Sequence, residues 1–120
     1  MAENDLKSEG AIPIIKAATK LEVLALGKNF MKSDVGKPLA KLLKTTTSLK
    51  KLSLDFNELM VAGTKWVAKG LCENHTLETL NIRGNVIGDE GIALIATAIK
   101  EAPALKELDI SLNEIGPQGF

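Results

Sequence analysis

The sequence is poor in the residue types that most often carry chemistry. Its 120 residues include one cysteine, one histidine, one tryptophan, three phenylalanines and no tyrosine. Because Cys72 is the only cysteine, no disulfide can form within the chain, and a reducing, cytoplasmic location is favoured. His75 has no second ligand at metal-binding spacing, so neither a metal nor another cofactor is expected. An aromatic content of 3% argues against nucleic-acid binding by base stacking.

Excess charge and long apolar runs are missing as well. The 15 basic and 15 acidic residues cancel, so no long-range field directs the chain to nucleic acid or to an anionic membrane. The N-terminus, M-A-E-N-D-L-K-S-E-G, lacks the basic and apolar regions of a signal peptide. No apolar stretch approaches the roughly 20 residues that cross a bilayer. We therefore expect a soluble intracellular protein without nucleic-acid or membrane partners.

Catalytic motifs do not stand out either. There is no serine-nucleophile motif, no paired-carboxylate arrangement and no phosphate loop. Cys72 is a weak candidate for a reactive thiol, since only Lys69 is obviously basic nearby. The sequence therefore predicts that the protein is not an enzyme.

A repeated frame dominates what is present. Leu77, Leu80, Ile82 and Asn85 form the pattern L-x-x-L-x-L-x-x-N, with isoleucine at the third apolar position. The frame also begins at residues 21, 49 and 105, so that 49−21, 77−49 and 105−77 each give 28. A period of this size and content is the signature of leucine-rich repeats.

The frame continues as N-x-I-G-x-x-G-x-x-x-L-A-x-x-L and is most complete over Leu77–Ile99. In this form it resembles the ribonuclease-inhibitor class of leucine-rich repeats. The resemblance implies an α/β fold: a right-handed β/α solenoid, here a short horseshoe segment, with a concave parallel sheet and convex helices. Family members typically bind other proteins through the concave sheet. They include ribonuclease inhibitor, sensor regions of Nod-like receptors, Ran GTPase-activating protein and the repeat region of tropomodulin.

The repeat also predicts the domain organisation. We expect one domain over residues 1–120, with an N-terminal capping helix in 1–20, repeats at 21–48, 49–76 and 77–104, and a partial repeat at 105–120. The capping helix should begin near Ile12, because Pro13 suits a first turn. The three later helices are predicted at about Pro38–Lys44, Gly63–Glu73 and Gly91–Glu101, the last with Asp89 as its N-cap.

Aligning the repeats predicts which positions form the core. The inward strand columns are Leu21/Leu49/Leu77, Leu24/Leu52/Leu80 and Leu26/Leu54/Ile82, and the inward helix columns are Leu39/Val67/Ile95, Ala40/Ala68/Ala96 and Leu43/Leu71/Ile99. Asn29, Asn57, Asn85 and Asn113 form one polar column among apolar neighbours. A buried Asn must have its hydrogen bonds satisfied. We therefore expect these side chains to bond backbone groups at the strand exit and in the next coil.

Residues between the inward leucines should face outward and form the contact surface. The candidate partner-binding residues are Lys51, Asp55, Phe56, Asn81, Arg83 and Asp109. An ordinary solvated sheet face is an equally good interpretation of any one of them, and Phe56 could instead pack under the exit loop. Trp66, in a column with Pro38 and Leu94, favours packing between helices over partner contact.

These features predict a non-enzymatic protein–protein interaction module or scaffold subunit that binds a protein through the sheet and adjoining loops. Two alternatives remain open: a GTPase-activating protein of the Ran type, in which Arg83 or an Asn would act, and an actin-end-capping module like the tropomodulin repeat region. The partial repeat stops at Phe120 before a helix. We therefore expect its apolar edge to be covered by another chain, a second copy or further sequence.

Overall fold

A computed structural model describes residues 6–113, which form a four-stranded parallel sheet flanked by helices. The strands are β1 (Val23–Ala25), β2 (Lys51–Ser53), β3 (Thr79–Asn81) and β4 (Glu107–Asp109), and they pair in chain order. Val23 pairs with Lys51, Lys51 with Thr79, and Thr79 with Glu107, a step of 28 residues each time. Each strand therefore lies beside the same position of the next coil.

The helices are α1 (Lys7–Ala17), α2 (Gly36–Thr45), α3 (Met60–Leu71) and α4 (Gly88–Ala98). Short 3-10 turns cover Ala18–Lys20, Ser33–Val35 and Ile99–Glu101. Neighbouring helices pack against each other on one side of the sheet, α2 against α3 and α3 against α4. Within residues 6–113, no helix is both long and apolar enough to cross a membrane.

The predicted helix starts were wrong. The first helix begins at Lys7 rather than near Ile12, so Pro13 lies inside it, on a solvent-exposed position. The third and fourth helices each begin three residues before the predicted glycine, at Met60 and Gly88. Both starting residues have left-handed backbone, with φ of 58° and 63°. The chain thus changes direction at a left-handed residue as it enters each of these two helices.

Asp89 is not the N-cap that was predicted. It lies in the first turn of α4, whose N-cap position is Ile87, and no side chain caps this helix. A carboxylate in the first turn still interacts favourably with the positive end of the helix dipole.

The core confirms the inward positions in the two central coils and corrects them at the ends. Leu49, Leu52, Leu54, Leu77, Leu80 and Ile82 are all buried. Leu21 is 44% exposed because β1 is the edge strand of the sheet. Ala96 and Ile99 are exposed because no helix between residues 6 and 113 packs on the far side of α4. The terminal coils thus expose some inward positions, although Leu24 and Leu26 of the first coil stay buried.

The asparagine column forms a continuous hydrogen-bonded ladder. The Oδ1 of Asn57 accepts from the backbone N–H of Asn29 and of Met31, each at 3.0 Å. Its Nδ2 donates to the carbonyls of Leu26 at 3.0 Å and Leu54 at 2.9 Å. These inter-coil bonds reach the preceding coil, whereas the sequence suggested the following one.

The other asparagines of the ladder repeat this pattern. Asn85 donates to the carbonyl of Leu54 at 2.8 Å and accepts from Leu59 N–H at 3.3 Å. Asn113 accepts from Asn85 N–H at 2.6 Å and donates to Ile82 O at 3.0 Å. Each coil is therefore bonded to the one before it.

A second polar ladder lies where each helix returns to its strand. The buried Asn74 donates to the carbonyl of Leu43, one coil earlier, at 2.8 Å, and accepts from Leu77 N–H at 2.7 Å. Thr46 occupies the same place one coil earlier and accepts from Leu49 N–H at 3.0 Å. Two polar ladders therefore bracket the leucine core, one at each end of the strands.

Candidate functional site

The candidate site lies on the side of the sheet opposite the leucine core. We call this surface the sheet face and define it by three outward rows that run across the strands. The rows are Val23/Lys51/Thr79/Glu107, Ala25/Ser53/Asn81/Asp109 and Gly27/Asp55/Arg83/Ser111. All of these residues are exposed or half-buried except Gly27, which is buried. The sheet face is thus a contiguous polar surface available to a partner.

Phe56 is the large apolar residue at the edge of the sheet face. Its ring lies across Gly84, where an added Cβ would stand 2.6 Å from Phe56 Cδ1. Lys28 Nζ lies 6.0 Å and Arg83 Cζ 5.9 Å from the ring centroid, both within cation–π range. We call Lys28, Phe56 and Arg83 the basic–aromatic cluster. Phe56 does pack on the exit loop, but it is still 43% exposed.

Arg83 and Asp109 are linked electrostatically across two strands. Ser111 donates to the Asp109 carboxylate through its Oγ at 2.6 Å and its N–H at 3.0 Å. These two bonds, the side-chain bond first, lower the pKa of Asp109, and the charge of Arg83 adds a smaller effect in the same direction. The Arg83 Nε atom is buried and has no partner in residues 6–113. Asp109 is therefore held as a carboxylate near an incompletely bonded guanidinium.

The remaining predicted contact residues lie at two places on the sheet face. The Asp55 carboxylate covers Gly27 so closely that any Cβ added there would collide with it. Asn81 accepts from Arg83 N–H at 3.0 Å, which fixes the turn that carries the guanidinium. Lys51 lies four residues before Asp55, about 13 Å along the strand direction. The structure therefore groups five of the six candidates and leaves Lys51 at the opposite end of the strands.

Sequence analysis singled out Phe56 but not the other exposed apolar residues of the strand-exit loops. Phe30, Phe56, Val86 and Leu112 project from the strand-exit loops and are between 39% and 65% exposed. We call them the exit-loop ridge. All four have left-handed backbone, with φ between 54° and 57°, although bulky and β-branched residues rarely adopt it. Gly84, in the same column as Phe56, was the one sequence signal of this conformation.

The other residues considered from sequence lie elsewhere. His75 and Cys72 are both exposed. Trp66 packs on α2, as the sequence favoured, because it covers Gly36 there, but it is also partly exposed. In residues 6–113, no group of three or more His, Cys, Asp or Glu side chains is arranged to hold a metal ion.

Known proteins resemble this chain both in part of its sequence and in its fold. The family model described as "Leucine Rich repeat" matches residues 73–96 and 103–119. No curated protein matches the chain. Among solved structures, "Leiomodin-1 Actin-Binding Site 2 (ABS2)" is similar, with a TM-score of 0.80 and 23% identity. The match covers 91% of this chain but 66% of that one, just under two thirds.

These findings confirm the predicted α/β architecture, since the similar structure shares the fold and the matched segments include β3, α4 and β4. The parallel strands pair in chain order with helices between them. Residues 73–96 and 103–119 thus match leucine-rich repeats, and residues 6–113 fold as a short β/α solenoid.

Proposed function

We propose that this protein is a non-enzymatic interaction module that binds a protein partner through the sheet face and the exit-loop ridge. The observation that carries the proposal is the basic–aromatic cluster, in which two cations lie within 6.0 Å of the ring of an exposed phenylalanine. Rigid aromatic side chains and arginines are the residues most enriched at binding hot spots. The contact residues we propose are Lys51, Asp55, Phe56, Asn81, Arg83 and Asp109.

The size of the surface explains why the loops must take part. Four strands spaced about 4.8 Å apart, each about 10–15 Å long, offer on the order of 200–300 Å². A standard interface buries about 800 Å² on each partner. The exit-loop ridge supplies exposed apolar area next to the polar sheet face. A polar rim around an apolar centre is the usual anatomy of an interface.

Affinity capture followed by reconstitution tests the proposal. The wild type and an Asp55→Lys/Arg83→Glu variant serve as baits, and each captured protein is purified and titrated against both. We expect one partner to bind the wild type and to lose binding to the variant. A Glu9→Lys/Lys16→Glu variant is the matched control, because it also exchanges two exposed charges but lies on α1. Equal binding to all three baits would contradict the assignment.

Actin is a second candidate partner, and a specific observation favours it. The similar solved structure is titled an actin-binding site of leiomodin-1. We propose testing filament binding by cosedimentation and end capping by the elongation rate of seeded filaments. Binding that is lost in Phe56→Ala and retained in the α1 control would assign actin to the same surface. If saturating protein neither pelleted with filaments nor slowed their elongation, actin would be excluded as the partner.

We also propose a repeat class, a domain organisation, a cellular location and a non-enzymatic role for this chain. The 28-residue step between paired strand residues supports repeats of the ribonuclease-inhibitor class in a single domain over residues 1–120. We place the protein inside the cell because Cys72 leaves no intrachain disulfide. A non-enzymatic role fits a repeat fold that generally serves in binding.

The GTPase-activating alternative is tested by GTP hydrolysis with Ran and other small GTPases, and stimulation that is lost in Arg83→Ala would establish it.

Self-association through the C-terminal edge is a further proposal. Leu105, Leu108 and Ile110 are half-buried, whereas their counterparts in the two preceding coils are buried. The predicted contributions of Ile115 to Phe120 lie outside the described residues. Light scattering at increasing concentration tests the idea, and a mass that stays monomeric throughout would contradict it.

A further inference from the structure

A second surface lies on the helix side of the solenoid, away from the sheet face. Its centre is Trp66 of α3, the single tryptophan of the chain, which is 37% exposed. A shallow depression of about 570 Å³ opens beside the indole, and its walls include Val61, Ala62, Lys65 and Lys69. The surface thus offers a partly apolar recess with cations on its rim.

The indole is held in place by a close approach of two helices. A Cβ added to Gly36 of α2 would stand 3.0 Å from both Cβ and Cδ1 of Trp66 and 3.1 Å from the Cα of Gly63. Lys37 Nζ lies 5.9 Å and Lys69 Nζ 5.4 Å from the ring, in cation–π range. The ring and its flanking charges therefore form a preorganised unit, which lowers the entropic cost of binding.

Four exposed lysines lie on α2 and α3, and three of them, Lys37, Lys65 and Lys69, lie beside the ring or the depression. Lys37 and Lys41 lie four residues apart on α2, and Lys65 and Lys69 occupy the equivalent positions on α3. Four residues of helix span about 6 Å, and packed helices lie about 8–10 Å apart. None of these lysines forms an ion pair with a carboxylate of residues 6–113, whereas the nearby Lys44 pairs with Glu73 at 3.3 Å. We call these lysines and Trp66 the Trp66 patch.

Acidic side chains limit the patch on both sides. Glu9 precedes Lys37 in its column by one coil, and Glu90 of α4 lines the groove that Lys65 and Lys69 share with α4. The positive surface therefore covers parts of α2 and α3, with Lys16 of α1 beside Lys41, in a protein whose net charge is zero. A long polyanion or an anionic bilayer would meet these carboxylates, whereas a short acidic segment would not.

We propose that the Trp66 patch binds a short acidic peptide segment of a protein partner. One apolar side chain of the segment enters the depression beside Trp66, and flanking carboxylates pair with the lysines. Alternate side chains of an extended peptide are about 6.6 Å apart, close to the spacing of Lys65 and Lys69 along their helix. The site is separate from the sheet face, so the protein can hold two partners at once.

Trp66 itself provides the assay, because its emission arises from the only indole in the chain. The probe is the peptide acetyl-Glu-Glu-Leu-Glu-Glu-amide, titrated by fluorescence and in parallel by calorimetry. We expect saturable binding with one peptide per chain that weakens as salt is added. A Lys65→Ala/Lys69→Ala variant should bind about five- to tenfold more weakly, because two ion pairs are lost. A Lys20→Ala/Lys106→Ala variant makes the same charge change at two exposed lysines that line neither the depression nor the groove beside Lys41, and it should bind like the wild type.

Several results would overturn the proposal. These are the absence of saturable binding to the wild type, an equal loss in the Lys20/Lys106 control, and undiminished affinity for a peptide with glycine in place of leucine. Tighter binding to phosphatidylserine vesicles or to oligo-dT than to the peptide would assign the patch to a different class of partner. Circular dichroism of each variant confirms that a loss of binding is not a loss of fold.

Discussion

Removing the side chain of Asn57 tests the idea that the asparagine ladder holds successive coils together. In Asn57→Ala, the N–H groups of Asn29 and Met31 lose their acceptor, and the carbonyls of Leu26 and Leu54 lose a donor. The side chain is buried, so water cannot easily replace these bonds. A buried donor left unsatisfied costs about 1–3 kcal/mol. With two such donors, we expect the free energy of unfolding to fall by about 2–6 kcal/mol.

The measurement is urea unfolding followed by far-ultraviolet circular dichroism, with Trp66 fluorescence as a second probe. Asn81→Ala is the matched control, since it also removes an asparagine amide, but one that accepts a single half-buried bond from Arg83 N–H. The control should cost about 0.5–1.5 kcal/mol. If Asn57→Ala cost no more than Asn81→Ala, the ladder would not be the main polar link between coils. Asn57→Asp keeps an acceptor oxygen but loses the amide donor. Comparing it with Asn57→Ala therefore separates the cost of losing the acceptor from the cost of losing the donor.

The remaining predictions concern the core, the exit loop and the sheet face. Leu54→Ala should lower the unfolding free energy by about 2–5 kcal/mol, and Leu21→Ala by less than about 1 kcal/mol because Leu21 is largely exposed; equal losses in urea unfolding would contradict the burial pattern. Gly84→Ala should cost more in the wild type than in a Phe56→Ala background, because the new Cβ meets the Phe56 ring, and additive losses in a double-mutant cycle would contradict that contact. Ser111→Ala should raise the pKa of Asp109 towards its ordinary value in a carbon-13 carboxylate titration. Since the native pKa of Asp109 is lowered, its stabilising effect is present above the unfolded pKa and lost as pH falls through the folded pKa; an unchanged pKa in Ser111→Ala would refute this.

The sequence predicted the strand pairing well because the 28-residue leucine frame determines the register of neighbouring strands. A step of 28 residues places Leu24, Leu52 and Leu80 at the same point of successive strands, and the structure pairs them. An inward leucine can face only one side of a strand, so the outward rows were fixed at the same time. This is why Lys51, Asp55, Asn81, Arg83 and Asp109 could be placed on the sheet face from the sequence.

The helix starts and the exit loops could not be predicted in the same way. They depend on left-handed backbone at residues such as Met60 and Val86, whose side chains do not favour that conformation. Only glycines mark it in sequence, and Gly84 and Gly88 do so in a single coil. The exposure of Phe30 and Leu112 follows from these turns, so the apolar ridge became visible only in three dimensions.

Leu21 and Ala96 show a different limit. Both match the inward pattern, yet both are exposed because they lie in terminal coils, where only some inward positions are covered. A repeat alignment treats every copy as equivalent and therefore predicts central positions better than terminal ones.

The regular 28-residue step has a consequence for engineering this protein. Contacts that cross from coil to coil reach only the adjacent turn, so a duplicate of residues 49–76 inserted after Thr76 would meet surfaces like those it already matches. Such a lengthened molecule would keep its internal bonding and gain one more row of outward side chains. An insertion of 27 or 29 residues would instead break the 28-residue step at the junction, where the leucines on its two sides would no longer be in register.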